Sequence, residues 1–143
     1  MSNKELLNKL KNYPDYHYSE FSIDRHNNQE YVMYLIVNSS LKMGKGKLSA
    51  QVGHGVHKMA QYCLSNQKEI WSKYVKSNFP KIVLKTKSQE HLINILDQTK
   101  DIFKCYVVDE GRTQIPENSL TVVAYIPMMK KEAPIQIKDL KLL

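Results

Sequence analysis

Cysteine is nearly absent from this chain, with only Cys63 and Cys105 among 143 residues. Neither belongs to a CxxC pair or stands at a His/Cys spacing that would close around zinc. A disulfide framework and a structural zinc site are therefore excluded, and both thiols read as reduced core residues. Long apolar runs are missing too. The longest, Tyr31 to Val37, falls far short of the roughly 20 residues a membrane-spanning helix needs, and the opening MSNKELLNKL has no continuous apolar segment of the secretory-signal kind. The chain is expected to be soluble and cytoplasmic, with no membrane contact. Glycine and proline number five each, and no repeat, low-complexity block or interdomain linker breaks the pattern. Acidic residues are the last shortage. Fourteen Asp and Glu face 21 Lys and Arg, a formal +7, which favours a polyanionic partner without identifying it.

What is present suits one domain with a real core. Residues 1–29 are rich in Asn, Lys, Tyr, Asp and His, with Leu6, Leu7 and Leu10 suggesting a turn or two of amphipathic helix. They read as an extension to a domain spanning residues 30–143. Within that domain YVMYLIV (31–37) is apolar on both alternations and β-prone, as a central strand covered on both faces should be. A long helix follows, then a second helix carrying Ile70, Trp71, Tyr74 and Val75 that must stop before Pro80. KIVLKT (81–86) predicts a strand, and Ser88 is the N-cap of a helix that buries Leu92, Ile95, Leu96 and Thr99. FKCYVV (103–108) and LTVVAYI (120–126) predict two more strands around a polar loop, DEGRTQIPEN. Strands alternating with helices in this order imply an α/β sandwich, with helices over both faces of a small sheet.

The chemistry concentrates in LKMGKGKLSAQVGHGVHKMAQ (41–61). At helical spacing Lys47, Gln51, His54 and Lys58 fall within a sector of roughly 60°, while Leu48, Val52, Val56, Met59 and Cys63 form the packing stripe, placing the polar set on the opposite face. A solvated face would be the plainest account. Two features speak against it. Lys45 and Lys47 stand at the helix start, where the dipole disfavours cations, and Gly53 and Gly55 each cost about 1 kcal/mol relative to alanine. Positive charge beside unpaired backbone N–H groups is what holding a phosphate or a developing oxyanion requires. The known phosphate loops do not account for it: Gly44-Lys45-Gly46-Lys47-Leu48-Ser49 lacks the GxxxxGK[ST] spacing and has Ser49 where GxGxxG needs its third glycine. The second polar set, Asp109, Glu110, Gly111, Arg112, Thr113 and Gln114 with Thr121 beyond, reads as a turn by itself. Outside the ends of adjacent strands, it would instead face the helix start across a ligand site.

Taken together, LKMGKGKLSAQVGHGV and DEGRTQIPENSLTVVAYIP resemble the type 2 peptidyl-tRNA hydrolase family, in order and separation, from about Tyr31 to the carboxyl terminus. The resemblance implies a three-layer α/β/α sandwich with a mixed sheet of about four strands. It also implies a homodimer and cleavage of the ester joining a peptide to the 3′ end of tRNA. The family's active-site positions match Lys47, Gln51, His54, Asp109, Thr113 and Thr121, and Lys42, Lys45, Lys58 and Arg112 are candidates for tRNA contact. Gly53 and Gly55 depart from the family's usual small residues beside the histidine. Residues 1–29 have no counterpart in the match. Ester hydrolysis needs an activated water and stabilisation of negative charge, which these side chains supply with no metal and no cofactor. There is no GxSxG elbow and no cysteine with an obvious partner, which argues against an acyl-enzyme. A non-catalytic RNA-binding module on the same fold and a deacylase of misacylated tRNA remain the alternatives.

Overall fold

The computed structural model describes residues 1–13, 29–110, 115–116 and 118–143. Its centre is β1 (Tyr31–Val37), in which every residue after Tyr31 is buried. Helix α2 (Lys45–Asn66) and α3 (Lys68–Lys76) lead into β2 (Lys81–Lys85), which pairs parallel to β1 with Val37 beside Lys85. Helix α4 (Gln89–Gln98) follows, capped by the Ser88 hydroxyl accepting from the His91 N–H. Strands β3 (Lys104–Asp109) and β4 (Ser119–Tyr125) then run antiparallel, β4 lying against β1.

The two faces of β1 divide the core. Val32, Tyr34 and Ile36 pack with Leu84, Val123, Tyr125 and the α4 residues Leu92 and Ile95. Met33, Leu35 and Val37 pack with Val122, Ala124 and the Met59, Cys63 and Tyr74 side chains of α2 and α3. Alternation along a strand with a helical layer on each side is what a continuous apolar run allows. Burying each large side chain is worth about 1.5–3 kcal/mol. Gly55 lets α2 approach closely: a Cβ there would lie 3.3 Å from Leu35 Cδ2 and 3.4 Å from both Ala124 and Val122.

The expected α/β/α layering and mixed sheet are present, and the four expected strands are β1 to β4. The sheet is larger by two short strands. β5 (Met128–Met129) continues the line of β4 beyond Pro127 and pairs with Tyr31 and Val32, while β6 (Lys141–Leu142) pairs with β2 at Leu84 and Lys85. The order is β3-β4-β1-β2-β6. Between the two added strands lies α5 (Ile135–Lys138), which buries Ile137. Near the start of the chain, α1 (Asn3–Leu10) forms over the predicted leucines, capped by Ser2, with none of its residues buried.

Candidate active site

Three elements bring the site together at one end of the sheet. Chain from β1 turns through a short 3-10 segment, Ser39–Leu41, and Lys42 takes a left-handed conformation before α2 begins at Lys45. Gly44 caps α2 with no side-chain hydrogen bond, so the helix start is built from backbone and lysines rather than from an acidic cap. Within the first turn, Lys47 Nζ donates to Asp109 Oδ1 at 2.5 Å, and only 13% and 9% of the two side chains is exposed. Asp109 ends β3, its carbonyl accepting from the Asn118 N–H at 2.7 Å.

Thr121 arrives by a backbone irregularity. The β3–β4 register shifts between Val107 and Val108: Val107 pairs with Val122 and Val108 with Leu120, which leaves Thr121 as the extra residue of a bulge. Val122 packs on the α2 face and Leu120 on the other, so the bulge places Thr121 on the same side as Val122. There its hydroxyl donates to Gln51 Oε1 at 2.7 Å and lies 3.1 Å from the Val107 carbonyl. Both Thr121 and Gln51 are buried. Asn38 braces the arrangement from β1, its N–H donating to the Thr121 carbonyl at 2.9 Å and its amide nitrogen to the Leu120 carbonyl at 2.8 Å.

A cleft of about 390 Å³ opens between these elements, lined by Lys47, Gln51, His54, Val108, Asp109 and Glu110 among others. His54 stands on its exposed side. Of the predicted catalytic set, Lys47, Gln51, His54 and Asp109 line the cleft, and Thr121 supports Gln51 from beneath. Arg112 and Thr113 lie outside the described residues. Lys42 and Lys45 are exposed at the approach to the helix start. Lys58 is not in the cleft: its Nζ donates to the Tyr106 carbonyl at 3.1 Å, three helical turns from Lys47.

The polar stripe of α2 is not opposite the packing stripe, as the helical spacing alone suggested. Gln51, Gly55, Met59 and Cys63 are the buried residues, so the site side chains border the core-facing edge. Sequence reasoning gave Asn38 no role, and its signal was slight: one polar residue ending an apolar strand. Glu110 was legible only as part of a polar loop.

The arrangement holds a cation, a carboxylate, an amide and an imidazole around a space open to solvent, suited to orienting a water and stabilising an oxyanion. Residues 31–143 match the family model described as Peptidyl-tRNA hydrolase PTH2. The chain is 33% identical over 118 residues to "Probable peptidyl-tRNA hydrolase 2" of Drosophila melanogaster, covering 81% of this chain and 63% of that protein. It is 32% identical over 118 residues to "Peptidyl-tRNA hydrolase" of Staphylothermus marinus, covering 81% of this chain and 98% of that one. With "Peptidyl-tRNA hydrolase 2, mitochondrial" of Homo sapiens it shares 35% identity over 100 residues, 68% of this chain and 56% of the human protein. The matched region thus spans less than two thirds of the fly and human relatives and nearly all of the archaeal one. On the family model and the archaeal match together, this chain belongs to the PTH2 family of peptidyl-tRNA hydrolases.

Proposed function

We propose that residues 30–143 hydrolyse the ester between a peptide and the 3′ end of tRNA, releasing peptide and free tRNA, with residues 1–29 an extension outside this unit. The observation that carries the reading is the Lys47–Asp109 ion pair at the start of α2, beside the Gln51–Thr121 hydrogen bond. In this reaction a water attacks the ester carbonyl, the carbonyl oxygen gathers negative charge, and the ribose 3′ oxygen leaves and takes a proton. Asp109 orients the water and receives its proton, directly or through His54. Lys47 and the backbone N–H groups of the first turn of α2 stabilise the oxyanion. Gln51 positions the ester, held in turn by Thr121, and Thr113 completes the set.

Lys42, Lys45, Lys58 and Arg112 are proposed contacts to the tRNA backbone, consistent with the formal charge of +7. A homodimer fits the exposed apolar side chains on β3 and α4, with Tyr106 at 47%, Val108 at 51% and Ile93 at 49% exposed. Two free thiols suit a reducing compartment such as the cytoplasm, and no helix of the described residues is long and apolar enough to cross a membrane.

The test is to assay N-acetyl-aminoacyl-tRNA beside the unblocked aminoacyl-tRNA. Hydrolysis of the blocked ester with sparing of the free amine is expected. Preference for the unblocked ester would make the protein a deacylase, and tight binding with no turnover of either would make it an RNA-binding module.

A further inference from the structure

Strands β1 and β2 are adjacent and parallel, yet the chain leaves their carboxyl ends toward opposite faces: α2 covers one side of the sheet and α4 the other. Such a divergence opens a crevice at the strand ends, where ligands collect in α/β sheets. A cavity of about 670 Å³ lies there, within the range of small-ligand pockets. Ser39 lines it from the end of β1, and Lys85, Thr86 and Lys87 from the end of β2.

Its chemistry is mixed in an informative way. Among the described residues, Lys85, Lys87 and Lys141 bring three cations against one lining carboxylate, Asp139, beside the first turn of α4. Ile95 and Leu140 supply apolar wall. His91 accepts from the Lys87 N–H through Nδ1 at 3.0 Å, so in the neutral ring the proton sits on Nε2. Thr86 is only 4% exposed, and among the described residues neither its hydroxyl nor that of Ser39 has a hydrogen-bond partner. Three buried hydroxyls among the described residues lack a partner: Tyr74 lies in the core under α2 and α3, while Ser39 and Thr86 belong to this crevice, where each meets a ligand once its side chain turns toward the opening.

The crevice shares the sheet end with the cleft. Asn38 bonds to Thr121 of the active site, and the next residue, Ser39, lines the cavity. From Asp109 on β3 to Lys85 on β2 is three strand steps, about 14 Å. Resting on the proposed function, we infer that this crevice binds an unpaired nucleotide of the tRNA 3′ segment upstream of the esterified adenosine, its phosphate on the lysines and its base against Ile95, Leu140 and His91. An imidazole and an apolar wall receive a base, hydroxyls read its edge, and lysines hold its phosphate.

The full chain is titrated with the trinucleotide CCA and, separately, with inorganic phosphate, following the backbone amides of Ser39, Thr86 and Lys87 by NMR. CCA should shift all three and phosphate alone should not reproduce the pattern. Shifts confined to Gln51 and His54, or a phosphate response equal to that of CCA, would overturn the inference. In parallel, Thr86→Val and the double variant Lys85→Ala/Lys87→Ala are assayed on N-acetyl-aminoacyl-tRNA, with Lys68→Ala/Lys76→Ala on α3 as the charge-matched control. KM should rise about ten-fold in the double variant and several-fold in Thr86→Val, with kcat kept and the control unchanged. An equal rise in the control would reduce the effect to net charge and sink the nucleotide site. A parent chain inert on the ester would defeat the proposed function, while the CCA titration would still decide the crevice.

Discussion

Lys47 and Asp109 stand 62 positions apart in the chain and meet at 2.5 Å, mostly shielded from water. An ion pair so placed holds both groups charged and fixed before substrate arrives, which is the condition for electrostatic catalysis. Lys47→Ala and Asp109→Asn should therefore each lower kcat by about 10² or more, measured by single-turnover hydrolysis of N-acetyl-aminoacyl-tRNA. Helix propensity and dipole alone would make Lys47→Ala neutral or slightly stabilising. The structure reverses that expectation, because alanine removes the cation that pairs with a poorly solvated Asp109 carboxylate, and a loss on the order of 1 kcal/mol is expected. Parental turnover in both variants would remove them from the mechanism. The two helix glycines separate at the same scale. Among the described residues a Cβ added at Gly53 meets nothing within 4 Å, whereas at Gly55 it meets three core atoms at 3.3–3.4 Å. Gly53→Ala should stabilise by about 0.5–1 kcal/mol in urea titration, and Gly55→Ala should forfeit that gain to crowding. Equal stabilisation by both would mean that α2 has slack against the sheet.

Elements with a strong period were the legible ones. YVMYLIV, KIVLKT, FKCYVV and LTVVAYI each became a strand within a residue or two of the expected bounds, and Ser88 caps α4 as read. The α2 stripe carried the site because Lys47, Gln51 and His54 repeat at helical spacing along one edge. What escaped has a physical reason. β5 and β6 are two residues each and α5 is four, too short for any period, and they form because β1 and β2 offer them an edge or an extension. The bulge that turns Thr121 toward Gln51 also leaves no mark in local composition, since it is a mismatch between two strands. Helix α1 is the reverse case, legible from Leu6, Leu7 and Leu10, which are 45%, 62% and 45% exposed. With no buried residue on α1, a chain beginning at Asn28 should lose less than about 1 kcal/mol of stability and keep its hydrolytic rate. A larger fall in melting temperature would show that α1 docks on the domain and that the division at residue 29 is misplaced.

For the molecule as a whole, the buried ionisable groups set how stability responds to alkali. Burial, with a smaller contribution from Cys105, pushes the Cys63 thiol up to about 11 from its usual 9.0. Burial also raises the Cys105 thiol and the phenols of Tyr34, Tyr74 and Tyr125. Each of these groups keeps its proton in the folded chain at a pH where the unfolded chain has lost it. The stability they contribute is intact below the unfolded value and is lost as pH rises toward the folded one. Lys81 and Lys104 work the other way: burial lowers both, so their cost to the folded state is relieved as they deprotonate. Among the described residues five acids raised by burial oppose two bases, and a net decline above pH 9 is the expected result. Cys63 alone should contribute a slope on the order of −1 kcal/mol per pH unit, steepest near pH 10. Urea unfolding at pH 8, 9, 10 and 11 measures that slope, and Cys63→Ala should flatten it by about the same amount while lowering stability at every pH through the void it leaves. The difference in slope is the discriminating quantity, since a cavity changes the intercept and only the lost thiol changes the proton count. If the variant and parent run parallel from pH 9 to 11, the thiol ionises in the folded core as readily as in the unfolded chain, and the packing of α2 on the sheet is open enough to admit water at Cys63.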